Sequence, residues 1–265
     1  MHAYLDSIGL LGPGLGDWPR ARDVLAGRAP YVSAPTELLP PACLPSAERR
    51  RSGPPVRLSI GVGQQAVIAS GMDAATLPTI FAASGSDGFN IHAICEGLAE
   101  AEPVMSPTRF HNSVHNAPAG YWSIATGAMR PSNVICAYDG SFGAGLLESV
   151  AQVTTDGEPC LLIAYDTDYP EPLRAHRTIP VQFGVALLLT PAPTPRTLAG
   201  LSVRTTHDAA ATMPDAALET LRGAVPAARA LPLLRALAMQ QAGIVVLDYL
   251  DDLRLAVEVS PTGTP

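Results

Sequence analysis

Three groups of side chains in this 265-residue sequence have types and spacings that could do chemistry. The first is Asn133-Val134-Ile135-Cys136-Ala137-Tyr138-Asp139-Gly140-Ser141, which runs into Phe142-Gly143-Ala144-Gly145. An apolar run followed by small residues predicts a strand over 133–138, a tight elbow at Asp139-Gly140-Ser141 and a helix over 142–155. An elbow of this kind exposes one side chain and turns the N–H groups of the following helix toward an oxyanion. Asp139 stands at the tip and Ser141 two residues on. The hydrolase pattern G-x-S-x-G is not met, because the residue two before Ser141 is Asp139. A carboxylate is a weak nucleophile toward a thioester. The plainer roles for Asp139 are to N-cap the helix starting at Phe142 or to make a polar contact. Cys136 lies inside the expected strand.

The second group is His111 and His115, spaced i, i+4 in Phe110-His111-Asn112-Ser113-Val114-His115-Asn116. That spacing can place two imidazoles on one helical face for a metal. No H-E-x-x-H is present and no third ligand is spaced nearby, so no metal is expected. Hydrogen-bonded histidines at a buried or interface helix start are the plainer reading, and contact with a ligand or partner subunit is the other. The third group is Ser141, His207 and an Asp, a hydrolytic set only if the fold joins them; Thr205-Thr206-His207-Asp208 reads as a solvated loop. The run Arg49-Arg50-Arg51 reads as a loop anchor or a contact for an acidic partner.

The elements that must position these groups follow from composition and pattern. Hydrophobic residues make up 47% and charged residues 15%, which excludes a disordered chain. The net charge is -7 and all 17 basic residues are Arg. Without a basic stripe, nucleic acid and anionic membranes are poor partners. Without Lys there is no Schiff-base chemistry and no P-loop lysine. No apolar stretch is long enough to span a membrane. The start, Met1 to Asp6, lacks a basic segment followed by an apolar run, so it does not read as a signal peptide. Cys43, Cys95, Cys136 and Cys160 are scattered, as expected of a reduced, cytoplasmic protein.

Strands are expected over 2–10, 77–83, 133–138, 159–166 and 181–190. Helices are expected over 18–27, 56–71, 91–101, 110–126 and 142–155. This alternation calls for a layered α/β architecture. Residues 28–55 read as a long Pro-rich loop with a short helix. After the Pro-rich linker 191–195, a strand (198–204), helices (216–223, 229–241) and two strands (244–249, 253–259) close the chain. Residues 1–190 and 191–265 are expected to pack as one compact unit.

Several segments, in order, resemble the amino-terminal half of β-ketoacyl synthases, which have the thiolase fold. They are Tyr4-Leu5-Asp6-Ser7-Ile8-Gly9, Ser84-Gly85-Ser86, Ser106-Pro107 with Ala117-Pro118-Ala119-Gly120, and Asn133 to Ser141. Ser113-Val114-His115-Asn116-Ala117 and the short carboxy-terminal part are most similar to the chain-length-factor-like subunits of aryl polyene pathways. The resemblance implies a thiolase-like layered α/β fold with a complete amino-terminal half and a truncated carboxy-terminal half. It also implies that Asp139 stands where active members carry a nucleophilic Cys. Active members further use two histidines from their carboxy-terminal half, one in a G-H-x-x-G-A type motif; after residue 190 this chain has only His207. The implied role is a non-catalytic, cofactor-free subunit that pairs with a catalytic β-ketoacyl synthase as a heterodimer and meets acyl carrier protein only indirectly. The strand over 133–138 would pair with its counterpart in the partner. The tunnel or interface candidates are Phe110, His111, His115, Asn116, Tyr121, Trp122, Met129, Tyr138 and Phe142. The alternatives are an autonomous thioesterase or acyltransferase using Ser141 or Asp139, and a stand-alone acyl-binding protein.

Overall fold

The structure, a computed structural model, describes residues 1–262. Eight strands, β1 (His2–Leu11), β2 (Thr79–Ala82), β3 (Ser132–Ile135), β4 (Cys160–Asp166), β5 (Phe183–Thr190), β6 (Ala199–Thr206), β7 (Gly243–Asp248) and β8 (Arg254–Pro261), form one sheet in the order β3-β2-β4-β5-β1-β6-β8-β7. β3, β2 and β4 run parallel to one another. All other pairings are antiparallel. The sheet crosses residue 190 without a break, because β1 pairs with β5 on one side and β6 on the other.

The helices are α1 (Trp18–Leu25), α2 (Ser46–Arg51), α3 (Pro54–Ser70), α4 (Gly88–Ala99), α5 (Pro107–His111), α6 (Ala117–Thr126), α7 (Ser141–Asp156), α8 (Leu173–His176), α9 (Ala216–Ala224) and α10 (Leu231–Ala238). They cover the sheet on two sides. Leu161, Ile163 and Tyr165 of β4 pack with α3 and α6, whereas Cys160, Leu162 and Ala164 face α7 and the 3-10 turn Pro226–Ala230. This two-residue alternation between two apolar layers explains why β4 and β5 read as unbroken hydrophobic runs. The first layer is closely packed at Gly63 of α3, where a Cβ would lie 2.6 Å from the Trp122 ring. No helix among the described residues is long and apolar enough to cross a membrane.

Two expectations need correction. The helix expected over 110–126 is two helices, α5 and α6, with a turn at residues 112–116 between them. Pro118 explains the break. It has no N–H, and inside a continuous helix its ring would clash with the Val114 carbonyl; in the first turn of a new helix it costs nothing. The strand expected over 133–138 ends at Ile135, and a single 3-10 turn (Tyr138–Gly140) separates it from α7.

Candidate functional site

The elbow is strained at Tyr138, whose φ of 51° lies in the left-handed region. Strain thus falls one residue before the expected tip, and the Tyr138 side chain is 62% exposed. Gly140 follows because nothing larger fits: a Cβ there would lie 1.8 Å from the Tyr249 carbonyl oxygen. The end of β7 therefore presses directly on the turn.

Asp139 does not cap α7. The cap position is Gly140, and no side chain caps that helix. Asp139 lies inside the 3-10 turn, where its own backbone is already wound. Its carboxylate instead meets two guanidinium groups. Arg177 Nη1 lies 2.6 Å from Oδ1, and Arg229 Nη2 donates to Oδ2 at 3.0 Å. The Arg177 guanidinium carbon also sits 3.9 Å from the Tyr138 ring centroid, a cation–π contact. Ser141 is 1% exposed. Its hydroxyl donates to the Tyr138 carbonyl at 2.7 Å and accepts from the Ala137 N–H at 3.0 Å. His207 Nδ1 is 3.0 Å from the Asp252 carbonyl, so no hydrogen bond joins it to Ser141. Cys136 Sγ donates to the Ser84 carbonyl at 3.4 Å.

A second carboxylate lies under the elbow. Asp166, at the end of β4, is buried. It accepts from the Ser84 N–H (2.9 Å), the Ser84 hydroxyl (2.6 Å) and the Ala227 N–H (2.8 Å). Burial pushes its pKa up to about 6, against the opposing pull of those hydrogen bonds and of Arg177. Asp139, Asp166, Arg177 and Arg229 therefore tie together the elbow, the end of β4, the 167–182 connection and the 3-10 turn Pro226–Ala230.

The two histidines lie on different elements. His111 closes α5 and packs edge-on against Tyr121, with ring centroids 6.4 Å apart. His115 lies in the turn, with Nε2 3.2 Å from the Ala83 carbonyl. The helix break puts the two on different elements, and no group of three or more His, Cys, Asp or Glu side chains among the described residues could hold a metal. Asn116 occupies the cap position of α6 without a side-chain cap bond.

The remaining candidates divide by burial. Trp122 and Tyr121 are core under α3, and the Tyr121 hydroxyl donates to Asn112 Oδ1 at 3.1 Å. Phe142 is core on the α7 side of the sheet. Phe110 and Met129 are exposed, at 61% and 94%. Phe110, Val114, Asn116 and Ile124 line an open groove. Arg49 donates to the Ala42 and Leu44 carbonyls, both at 2.8 Å, and so anchors its loop. Arg50, Arg51 and Arg109 line a second open groove.

The sheet edge beside the elbow is open. β3 pairs with β2 alone, and its outer side has no strand partner among the described residues. Ser132 and Asn133 are exposed.

Over residues 21–244 the sequence matches the family described as Beta-ketoacyl synthase, N-terminal domain. The chain belongs to that family. Its fold is the thiolase-like ketosynthase fold. The structure is similar to a chain of the ketosynthase (ApeO) in complex with its chain length factor (ApeC) from Xenorhabdus doucetiae, with a TM-score of 0.74, 20% identity and coverage of 97% of this chain and 99% of that one. It is also similar to the ishigamide ketosynthase/chain length factor (TM-score 0.73, 13% identity, 98% and 100% covered). A third likeness is to the complex AntDE:AntF, a type II PKS acyl-carrier protein with its ketosynthase bound to the hexaketide (TM-score 0.75, 12% identity, 98% and 99% covered). No curated protein matches the chain.

Of the residues that complete the elbow, Ser84 stands in a segment that carries the family resemblance, whereas Arg177, Arg229 and Asp166 carry no signal in the sequence. They lie far apart in the chain, and only the sheet order brings them together.

Proposed function

We propose that this chain is a non-catalytic, chain-length-factor-like subunit that pairs with a catalytic β-ketoacyl synthase and shapes the space open to its growing acyl chain. The observation that carries this reading is the state of the elbow. A ketosynthase acts through a thiolate that attacks the acyl thioester, with imidazoles to handle protons and the developing oxyanion. Here the tip holds Tyr138 and Asp139. The carboxylate is held by two arginines, and no histidine hydrogen-bonds to it. Ser141 is buried, with both its hydrogen bonds made to backbone, so a thioesterase reading lacks a free nucleophile and a base.

Two further observations support a partner. The outer side of β3 leaves backbone N–H and C=O groups unpaired, which native proteins rarely leave bare. The segment between β2 and β3 exposes Leu98, Val104, Phe110, Val114, Ile124 and Met129. A monomer seldom presents so many large apolar side chains in one stretch without using them. In this reading β3 pairs across the subunit boundary and the groove beside Phe110 faces the synthase. The structures named above as ketosynthase and chain length factor complexes make a synthase the partner of choice. Aryl polyene elongation on acyl carrier protein, in the cytoplasm, is the pathway we assign to it, with the carrier protein meeting the synthase rather than this chain.

Coexpression with candidate synthases tests the proposal. A synthase that copurifies one-to-one with this chain, and makes product only in its presence, is the expected result. Turnover of an acyl thioester by this chain alone, abolished by Ser141→Ala, would replace the proposal with the autonomous-enzyme reading.

A further inference from the structure

Arg177 and Arg229 reach the elbow from separate segments and engage opposite oxygens of one carboxylate. Two guanidinium groups converging in this way are a common means of gripping a carboxylate ligand. Here the carboxylate belongs to the chain itself. The clamp is also held by other contacts. Arg177 stacks on the Tyr138 ring. The turn that carries Arg229 is pinned through the Ala227 N–H on Asp166. Arg177 further has a buried Nη2 with no hydrogen-bond partner, so the clamp holds more donor capacity than Asp139 fills.

We propose that Arg177 and Arg229 form a carboxylate-binding clamp at the elbow, and that Asp139 occupies it as a built-in ligand that shuts out free carboxylates and carboxylate-bearing acyl groups. The inference rests on the single chain and does not require the partner proposed above. It differs from an ordinary stabilising ion pair in one respect: removing Asp139 should leave a working anion site rather than two loose side chains.

Chemical rescue tests this on the full chain, with sodium acetate exchanged for sodium chloride at constant ionic strength. Wild-type protein should melt at the same temperature in both salts and show no acetate binding by calorimetry. Asp139→Ala should melt lower in chloride and regain about 3–5 °C when acetate reaches about ten times its dissociation constant. Adding Arg177→Gln or Arg229→Gln should abolish the gain. Asp139→Ser, whose short polar side chain also leaves the clamp empty, carries the same titration if the alanine variant does not fold in chloride. Folding of either variant in acetate but not in chloride supports the clamp. A folded variant that gains nothing from acetate over chloride overturns it, as does failure of both variants to fold in either salt. Acetate binding by the wild-type chain as strong as by the variant would show that Asp139 does not occupy the site.

Discussion

The centre and one edge of the sheet end in opposite conditions. Every residue of β4 and β5 is buried, with alternate side chains passing to the two helical layers. β3 is exposed or half-buried along its length, and α4, an apolar helix, buries only Gly88 and Asn90. Hydrophobicity alone does not separate the two regions. What separates them is cover: α3 and α7 lie over the centre, while the described residues place no strand outside β3. Apolar residues at the centre are bound by the fold, and those at the edge remain available for a partner.

Phe142 and Phe110 break or sharpen this comparison most strongly, since both are phenylalanines and one is buried while the other is exposed. Phe142 sits in the α7-side core. Phe142→Ala should destabilise the chain by about 3–5 kcal/mol, the usual cost of removing a fully buried ring. Denaturant melts of the isolated chain measure it. A loss under about 1 kcal/mol would mean that α7 packs more loosely than β4 requires, and the contrast between centre and edge would weaken.

Asp166 gives the next effect. Its pKa is raised from the ordinary 3.8 to about 6, first through burial, so the folded chain holds a proton that the unfolded chain has released. The folded state thus binds more protons between those values, and stability falls as pH rises through that window. The contribution is full below about pH 3.8 and gone above about 6. Asp166→Asn cannot titrate. The stability difference between wild type and Asp166→Asn should move in the variant's favour by about 2 kcal/mol from pH 4.5 to 7, then level off. A flat difference would mean that the hydrogen bonds from Ser84 and Ala227 and the field of Arg177 outweigh burial, so that the carboxylate is ionised in the fold.

The centre was legible in the sequence because it obeys local rules. Long apolar runs gave β4 and β5, and Gly71, Gly127 and Gly157 stop α3, α6 and α7 where expected, each in the left-handed region. The elbow between β3 and α7 was legible as a strand–turn–helix unit. Its chemistry was not. Asp139 reads as a cap because capping is a local pattern, whereas its true partners lie in a loop and a 3-10 turn that no spacing rule connects to it. The break before α6 is readable in the sequence, because Pro118 forbids an uninterrupted helix over 110–126. The burial of Tyr121 and Trp122 follows from that break, because α6 packs under α3 separately from exposed α5. Which of the large side chains near the elbow are core and which are rim depended on helix placement, and so lay beyond sequence patterns.

The smallest effect on folding should carry the most information about function. Phe110→Ala and Tyr138→Ala remove rings that stand mostly in solvent, so each should change the stability of the isolated chain by no more than about 1 kcal/mol, Tyr138 losing its contact with Arg177 as well. In complex with the synthase the same changes act at the proposed boundary. If the rim limits the space open to the acyl chain, at least one variant should assemble normally and give longer products, because an extending chain can refill the volume the ring vacated. Phe142→Ala has no such outlet: its cavity lies inside the α7 layer, and product length in any complex it still forms should stay unchanged. Mass spectrometry of the products, beside melting curves and size-exclusion profiles of each complex, separates the outcomes. Weaker assembly with unchanged product length would make Phe110 and Tyr138 contact residues only. Unchanged assembly and unchanged length in both variants would place the partner face elsewhere than the edge beside β3, and the exposed apolar stretch between β2 and β3 would need another occupant.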